Sequence, residues 1–377
     1  MPFGILIVTG GMTHQENYAR GFASDSRCRV IAVTDEKKVD QRRTLLNAKL
    51  AAELGVPHIS DLDEALARSD VHAVSICTEH HRQGRVALRC AEAGKHIYID
   101  KPLAGALDEA LRLEKMVASN NLRSQMFTHV HMPSGQRIRR ILQHSSMGEL
   151  RAIHQDLQFA KGYPGDFEIA RRKEQAEPKM FLYPDAKREL FNIAVYTLAM
   201  ARWLTGRKAF VSARAVTGNY FFETNRRRDF EDFGVMAVNM EGGLVLTLSA
   251  GRTGWKSHPG GGHFRTKLVG SKGSVFIDSM SPHGEIAAEG QSHWKTPVEN
   301  PDDPMGFWQS TDQRKSGGTE WFFAPSSQAV DQRAFLSKLE KGLDGEVNVA
   351  DGVRVLEALF GAYRSAATGE LIAIGRG

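Results

Sequence analysis

Cysteine is scarce, with Cys28, Cys77 and Cys90 the only three in 377 residues. None is closely paired or set at metal-ligand spacing, so a disulfide-stapled fold and a thiolate metal site are excluded and buried thiols in a reducing compartment are expected. No run of about 18 apolar residues occurs, so no membrane span is expected. The start, Met1-Pro-Phe-Gly-Ile-Leu-Ile-Val8, lacks the basic head and long apolar stretch of a signal peptide, and the expected place is the cytoplasm. An excess of one charge is also missing: 49 Lys and Arg stand against 44 Asp and Glu. The densest basic run, Arg226-Arg227-Arg228, is flanked by Glu223, Asp229, Glu231 and Asp232, which argues for a solvated loop and against nucleic acid. His80 and His81 are adjacent, but no cysteine or carboxylate stands at ligand spacing, so no metal is expected.

What is present is ordinary soluble composition, 41% hydrophobic and 25% charged, at a length that fits two domains. Ile5 to Val8 reads as a buried strand. Thr9-Gly10-Gly11-Met12-Thr13 reads as a turn, His14 to Ser24 as a helix, and Arg29 to Thr34 as a second strand ending at Asp35. Strand, glycine turn, helix, strand and acid is the order of a dinucleotide-binding unit. The glycine fingerprint is degenerate, since only Gly10 falls in register, with Val8 and Thr13 at the other two places. Alternation continues through a helix over Asp40–Leu54 closed by Gly55, a short strand at His58-Ile59, and a helix over Asp61–Arg68. A strand over Val71–Cys77 and a helix over Gln83–Ala93 follow, with Thr78-Glu79-His80-His81 as a loop between them. Then comes Gly94 to Leu103, in which the strand His96–Ile99 runs into Asp100 and Lys101 and is stopped by Pro102. That holds Lys101 at the carboxyl end of a parallel strand, the edge where open α/β sheets bind ligands, together with Gly10, Asp35 and Thr78.

Val71-His-Ala-Val-Ser-Ile-Cys-Thr78, followed by Ala91-Glu-Ala-Gly-Lys-His-Ile-Tyr-Ile-Asp-Lys-Pro-Leu-Ala104, resembles the Gfo/Idh/MocA family of nicotinamide-dependent oxidoreductases. Gly148-Glu-Leu-Arg151, Glu189 to Gly206, Phe264 to Asp278 and Val349 to Gly369 extend the likeness over nearly the whole chain. Departures are Glu79 where proline is usual, Gln83 where histidine is common, and Asp100 where glutamate is usual.

The fold the resemblance implies is α/β, with an N-terminal Rossmann parallel sheet in residues 1–125. A C-terminal α+β domain, built on a mostly antiparallel open-faced sheet, takes residues 126–377. From Arg151 the strand signals recur with period two, as in Leu244, Leu246 and Leu248. In the family the open face commonly mediates oligomerisation, so a dimer or tetramer is expected. The resemblance further implies NAD as cofactor, with NADP open: Asp35 repels a 2′-phosphate, while Lys37, Lys38, Arg42 and Arg43 offset that. Cofactor contacts are expected from Gly10, Gly11, Met12, Thr13, Asp35, Thr78, Glu79, His80, Asp100 and Lys101.

In the helix Leu190–Leu204, Asn192 and Tyr196 are four apart and share a face. The family carries an aspartate and a histidine or tyrosine there, so Lys101, Tyr196 and Asn192 are the expected catalytic set. Asn192 lacks the usual acid and cannot accept a proton. Substrate contacts are expected from His129, His131, Asn192 and Tyr196, and the long loop Lys161–Arg188 precedes the helix. The implied reaction is hydride transfer between the nicotinamide and a CH–OH or C=O carbon of a sugar, inositol or related polyol. A non-redox nucleotide or ligand binder, and a hydrolase or lyase that uses NAD transiently, stand beside it.

Overall fold

The computed structural model describes residues 2–9, 14–143, 147–169, 172, 174–183, 185–280, 283–288, 298, 300–305 and 329–375. Gly10, Gly11, Met12 and Thr13 lie outside the described residues.

Six strands form the first sheet: β1 (Phe3–Val8), β2 (Cys28–Thr34), β3 (His58–Ile59), β4 (Ala73–Ile76), β5 (His96–Ile99) and β6 (Ser124–Met126). All pair in parallel, in the order β3-β2-β1-β4-β5-β6. Helices cover both faces, which is why β1 and β4 are near-continuous apolar runs. The order reverses between β1 and β4, and a crevice opens there at the strands' carboxyl ends. Local signals set the helix ends. Asp40 accepts the Arg42 N–H at 2.9 Å, and Gly55 closes the same helix with φ 67°.

The second sheet has β7 (Leu150–Phe159), β8 (Phe210–Gly218), β9 (Phe233–Met240), β10 (Val245–Arg252), β11 (Gly262–Gly270), β12 (Gly273–Asp278), β13 (His283–Ala288) and β14 (Ile372–Ala373). Only β7 and β10 pair in parallel; the other neighbours are antiparallel. Burial alternates residue by residue along β9, so one face is packed and the other open. The helix Glu189–Leu204 covers the packed face and is buried on every side, as its apolar content requires.

Two helices tie the sheets together. Val349–Thr368 begins with a reciprocal cap between Asn348 and Asp351. Ala329–Glu340 places Phe335, Leu336 and Leu339 in one apolar cluster with Ile5, Tyr18, Phe22 and Tyr98 of the first sheet's layer.

Two expectations are corrected. The helix after β4 starts at His80, not Gln83, because the Glu79 carbonyl accepts both the Arg82 and Gln83 N–H at 3.0 Å. His80 and His81 therefore sit in a helical first turn rather than a loop. Arg226 and Arg227 end a short helix, Glu223–Arg227, instead of lying in a loop. The three cysteines are buried and free.

Candidate active site

Lys101 is 6% exposed at the tip of β5, and its bond to Pro102 is cis. Gln83 sets that tip. Its amide donates to the carbonyls of Asp100 (2.6 Å) and Pro102 (2.7 Å), while its oxygen accepts the Thr78 N–H at 3.0 Å. One buried side chain thus staples the ends of β4 and β5 together. Asp100 points the other way: its carboxylate accepts from the Tyr18 hydroxyl at 2.8 Å and the Cys77 thiol at 3.2 Å.

The Lys101 ammonium donates to both oxygens of Asn192, the side-chain Oδ1 and the backbone carbonyl, each at 2.8 Å. Asn192 in turn donates through Nδ2 to Glu189 at 3.0 Å, and Glu189 accepts from Arg252 Nε at 2.6 Å. The amide's orientation follows from these partners. Sequence reasoning missed Glu189 and Arg252. The available signal was helical spacing, since Glu189 precedes Asn192 by three residues on the same face. Burial, opposed by Asp100 and reinforced by Lys187, lowers the Lys101 pKa to about 8.

Tyr196 lies beside this pair, its ring centroid 4.8 Å from the Lys101 nitrogen. His129 stacks on it at 4.1 Å with the planes 15° apart. Burial raises the Tyr196 phenol well above its ordinary value and lowers His129 to about 3, so the phenol stays protonated and the imidazole neutral. Four buried polar atoms here, Thr78 Oγ1, His80 Nδ1, Thr128 Oγ1 and His129 Nδ1, have no hydrogen-bond partner among the described residues. Buried polar groups are normally paired, so these atoms are available to a ligand's hydrogen bonds.

At the end of β2, both Asp35 oxygens are taken by Arg82, at 2.8 and 3.0 Å. Arg82 also donates to Glu79 (2.6 Å), Glu36 (3.0 Å) and the Thr9 carbonyl (3.3 Å). Burial raises the Asp35 pKa against the opposing pull of Arg82. A cavity of about 710 Å³ opens in front, lined among others by Glu36, Lys37, Arg42, Glu79, Arg82 and Tyr183. Glu36 and Arg82 are polar contacts that this cavity offers a nucleotide.

Lys101, Asn192, Tyr196, His129, Thr78 and His80 are therefore brought together. His131 is not. It faces Asp331 at 3.8 Å, and the charges it feels are those of Glu346, Lys338 and Arg139. Among the described residues no group of three or more His, Cys, Asp or Glu is set to hold a metal ion, and no helix is long and apolar enough to cross a membrane.

Comparison with known proteins gives the same two units. Residues 3–128 match the model "Oxidoreductase family, NAD-binding Rossmann fold", and residues 136–276 match the "GFO/IDH/MocA C-terminal domain". A 4-carboxy-2-hydroxymuconate-6-semialdehyde dehydrogenase of Sphingobium sp. is 30% identical over 209 residues, 54% of this chain and 59% of that protein. The levoglucosan dehydrogenase of Pseudarthrobacter phenanthrenivorans is 25% identical over 187 residues, 48% of this chain and 45% of that one. The chain thus spans about half the length of these curated relatives. Among solved structures, a levoglucosan dehydrogenase in complex with NADH and levoglucosan covers both chains completely, with a TM-score of 0.76 and 16% identity, a likeness of fold.

Proposed function

The chain belongs to the Gfo/Idh/MocA oxidoreductase family and carries its NAD-binding Rossmann domain, and on that premise we propose that it is an NAD-dependent dehydrogenase or reductase acting on a CH–OH carbon of a sugar, inositol or related polyol. The observation that carries this reading is the buried Lys101 amine held by two Asn192 oxygens beside Tyr196. The names of the relatives, dehydrogenases of a semialdehyde and of levoglucosan, support the reaction class.

A bound nicotinamide supplies the acceptor for the hydride that leaves the carbinol carbon. The chain's own residues handle the proton. A neutral lysine has two N–H donors and one lone pair; with both donors committed to Asn192, the lone pair is left for the substrate hydroxyl. Asn192 accepts without bearing charge, so it does not hold the lysine protonated as an aspartate in its place would. Lys101 is then the base for oxidation and, once charged, the acid for reduction. Tyr196 stays protonated and donates to the same substrate oxygen, with His129 clamping its ring. Thr78, Thr128 and His129 offer the free polar atoms that orient the hydroxyls. His80, Glu79, Glu36 and the Asp35–Arg82 pair hold the cofactor, along with Gly10, Gly11, Met12 and Thr13. The acid Asp35 and its neighbour Glu36 favour NAD over NADP.

In this reading residues 1–125 serve the cofactor and 126–377 substrate and assembly, with the boundary inside β6. On the open face, Val216 stands opposite Val235, 64% and 47% exposed, which supports a homo-oligomer, dimer or tetramer, through that sheet. The test is a panel of sugars, inositols and polyols, with NAD and then NADP, followed by nicotinamide absorbance. Saturable NADH binding with no turnover of any member overturns the dehydrogenase and leaves a nucleotide binder.

A further inference from the structure

We propose that the substrate carries a carboxylate or comparable anionic group near its reacting hydroxyl, and that Lys187 and Arg252 form the subsite that holds it. The proposal rests on the dehydrogenase reading above. Lys187 lies two residues before the helix Glu189–Leu204 and is half-buried. Its backbone is pinned: the carbonyl accepts from Asn225 Nδ2 at 2.8 Å, and the residue bridges to Leu182. Its ammonium makes no hydrogen bond or ion pair among the described residues. Lys187 stands two residues before Glu189, whose carboxylate joins Arg252 to Asn192 and so to Lys101, and its charge acts on Lys101, His14 and His80.

Among the described residues the acids nearby make no ion pair with Lys187 and are held by other partners. Both Glu189 oxygens are committed, one to Arg252 and one to Asn192. The Asp100 oxygens are committed to Tyr18 and Cys77. Arg252 uses only its Nε on Glu189, and its two terminal nitrogens make no hydrogen bond among the described residues. So Lys187 and the outer edge of Arg252 present donors with positive charge, and Arg252 is linked to Lys101 through Glu189 and Asn192. Burial lowers the Lys187 pKa, and Glu189 only partly offsets this. A cation kept half-buried without a partner is unfavourable unless a ligand brings the opposite charge. Hydroxyls of a neutral polyol accept hydrogen bonds but bring no charge, whereas a carboxylate makes the stronger charge-assisted bonds and matches the planar fork of arginine.

The test uses the full-length protein, saturating NAD, and matched substrate pairs: gluconate with glucitol, glucuronate with glucose. Wild type is expected to turn over the acids with kcat/KM at least about tenfold above their neutral partners. Lys187→Gln is expected to reduce that preference roughly ten- to a hundredfold, mostly through KM, the scale of one hydrogen bond to a charged group. Lys187→Arg is expected to keep most of it. Wild type favouring the neutral partners overturns the proposal. So does an equal loss for both partners in Lys187→Gln, or weaker NADH binding, which assigns Lys187 to the dinucleotide phosphates. If neither class is turned over, the dehydrogenase reading fails and calorimetry decides the subsite alone. Gluconate or glucuronate binding to the NADH-loaded protein that is lost in Lys187→Gln supports it; no binding of either to wild type overturns it.

Discussion

Lys101 is a base only when it has shed its proton, and burial brings that event to a pH of about 8. Oxidation is expected to rise about tenfold per pH unit below 8 and level off above it, read as kcat/KM between pH 6 and 10. Glu189 is a negative charge that raises the Lys101 pKa. Glu189→Gln removes it, so the rising limb moves to lower pH; a limb that stays put or moves up separates Glu189 from the lysine's chemistry. Lys101→Ala is expected to cut kcat by roughly 10²–10⁴ while a fluorescence titration with NADH still saturates. Lys101 could be found in the chain because proline and a strand end mark its place. Helical spacing carried a signal for Glu189, one turn before Asn192, but none for Arg252, which meets Glu189 only once that helix packs against β10. Likewise, 47 positions separate Arg82 from Asp35, and local pattern carries no information about that pairing.

Strand tips and helix caps behave as separate devices. Gln83 is fully buried and serves three backbone groups just past the ends of two strands. Gln83→Ala leaves them unsatisfied and is expected to cost about 2–4 kcal/mol in urea unfolding, with kcat down roughly tenfold as Lys101 loses its setting. The helix Ala329–Glu340 brings a buried acid: Asp331 accepts from the Tyr98 hydroxyl at 2.8 Å and from Gln125 at 2.9 Å. Burial pushes its pKa up to about 7 from 3.8. The folded state therefore holds an extra proton between about pH 4 and 7, and this group's contribution to stability falls as pH rises through that window. Asp331→Asn removes the dependence while keeping an acceptor for Tyr98. Its stability relative to wild type is expected to climb between pH 4 and 7, by at most about 4 kcal/mol, in chemical denaturation at a series of pH values; a flat difference would sink the assignment. Helix ends such as Asp40 and Gly55 were legible because capping is local chemistry. The start at His80 was not, since histidines give no cap signal and Glu79 acts through its backbone. β13 was missed because His283–Ala288 carries only one large apolar residue, Ile286.

At the scale of the molecule, both sheets were legible from periodicity, near-continuous apolar strands for the first and alternation for the second. How they are joined was not. If the open face is an assembly surface, Val216→Glu with Val235→Glu is expected to reduce the scattering mass to that of one protomer, 41.7 kDa; an unchanged oligomer sinks that surface. Phe335, Leu336 and Leu339 lie in one cluster with Ile5 and Phe22, though about 300 residues separate them along the chain. During synthesis, a ribosome adding roughly 5–20 residues per second finishes the cofactor half well before it delivers that helix. For roughly 10–50 seconds the nascent cofactor half waits with its apolar groove uncovered. Limited proteolysis of ribosome-stalled chains is expected to cut the first half readily until residue 340 has cleared the exit tunnel, and slowly thereafter. The helix Ala329–Glu340 would then act as a timer on folding: the first sheet's layer stays incompletely packed until a segment about 300 residues downstream has been made.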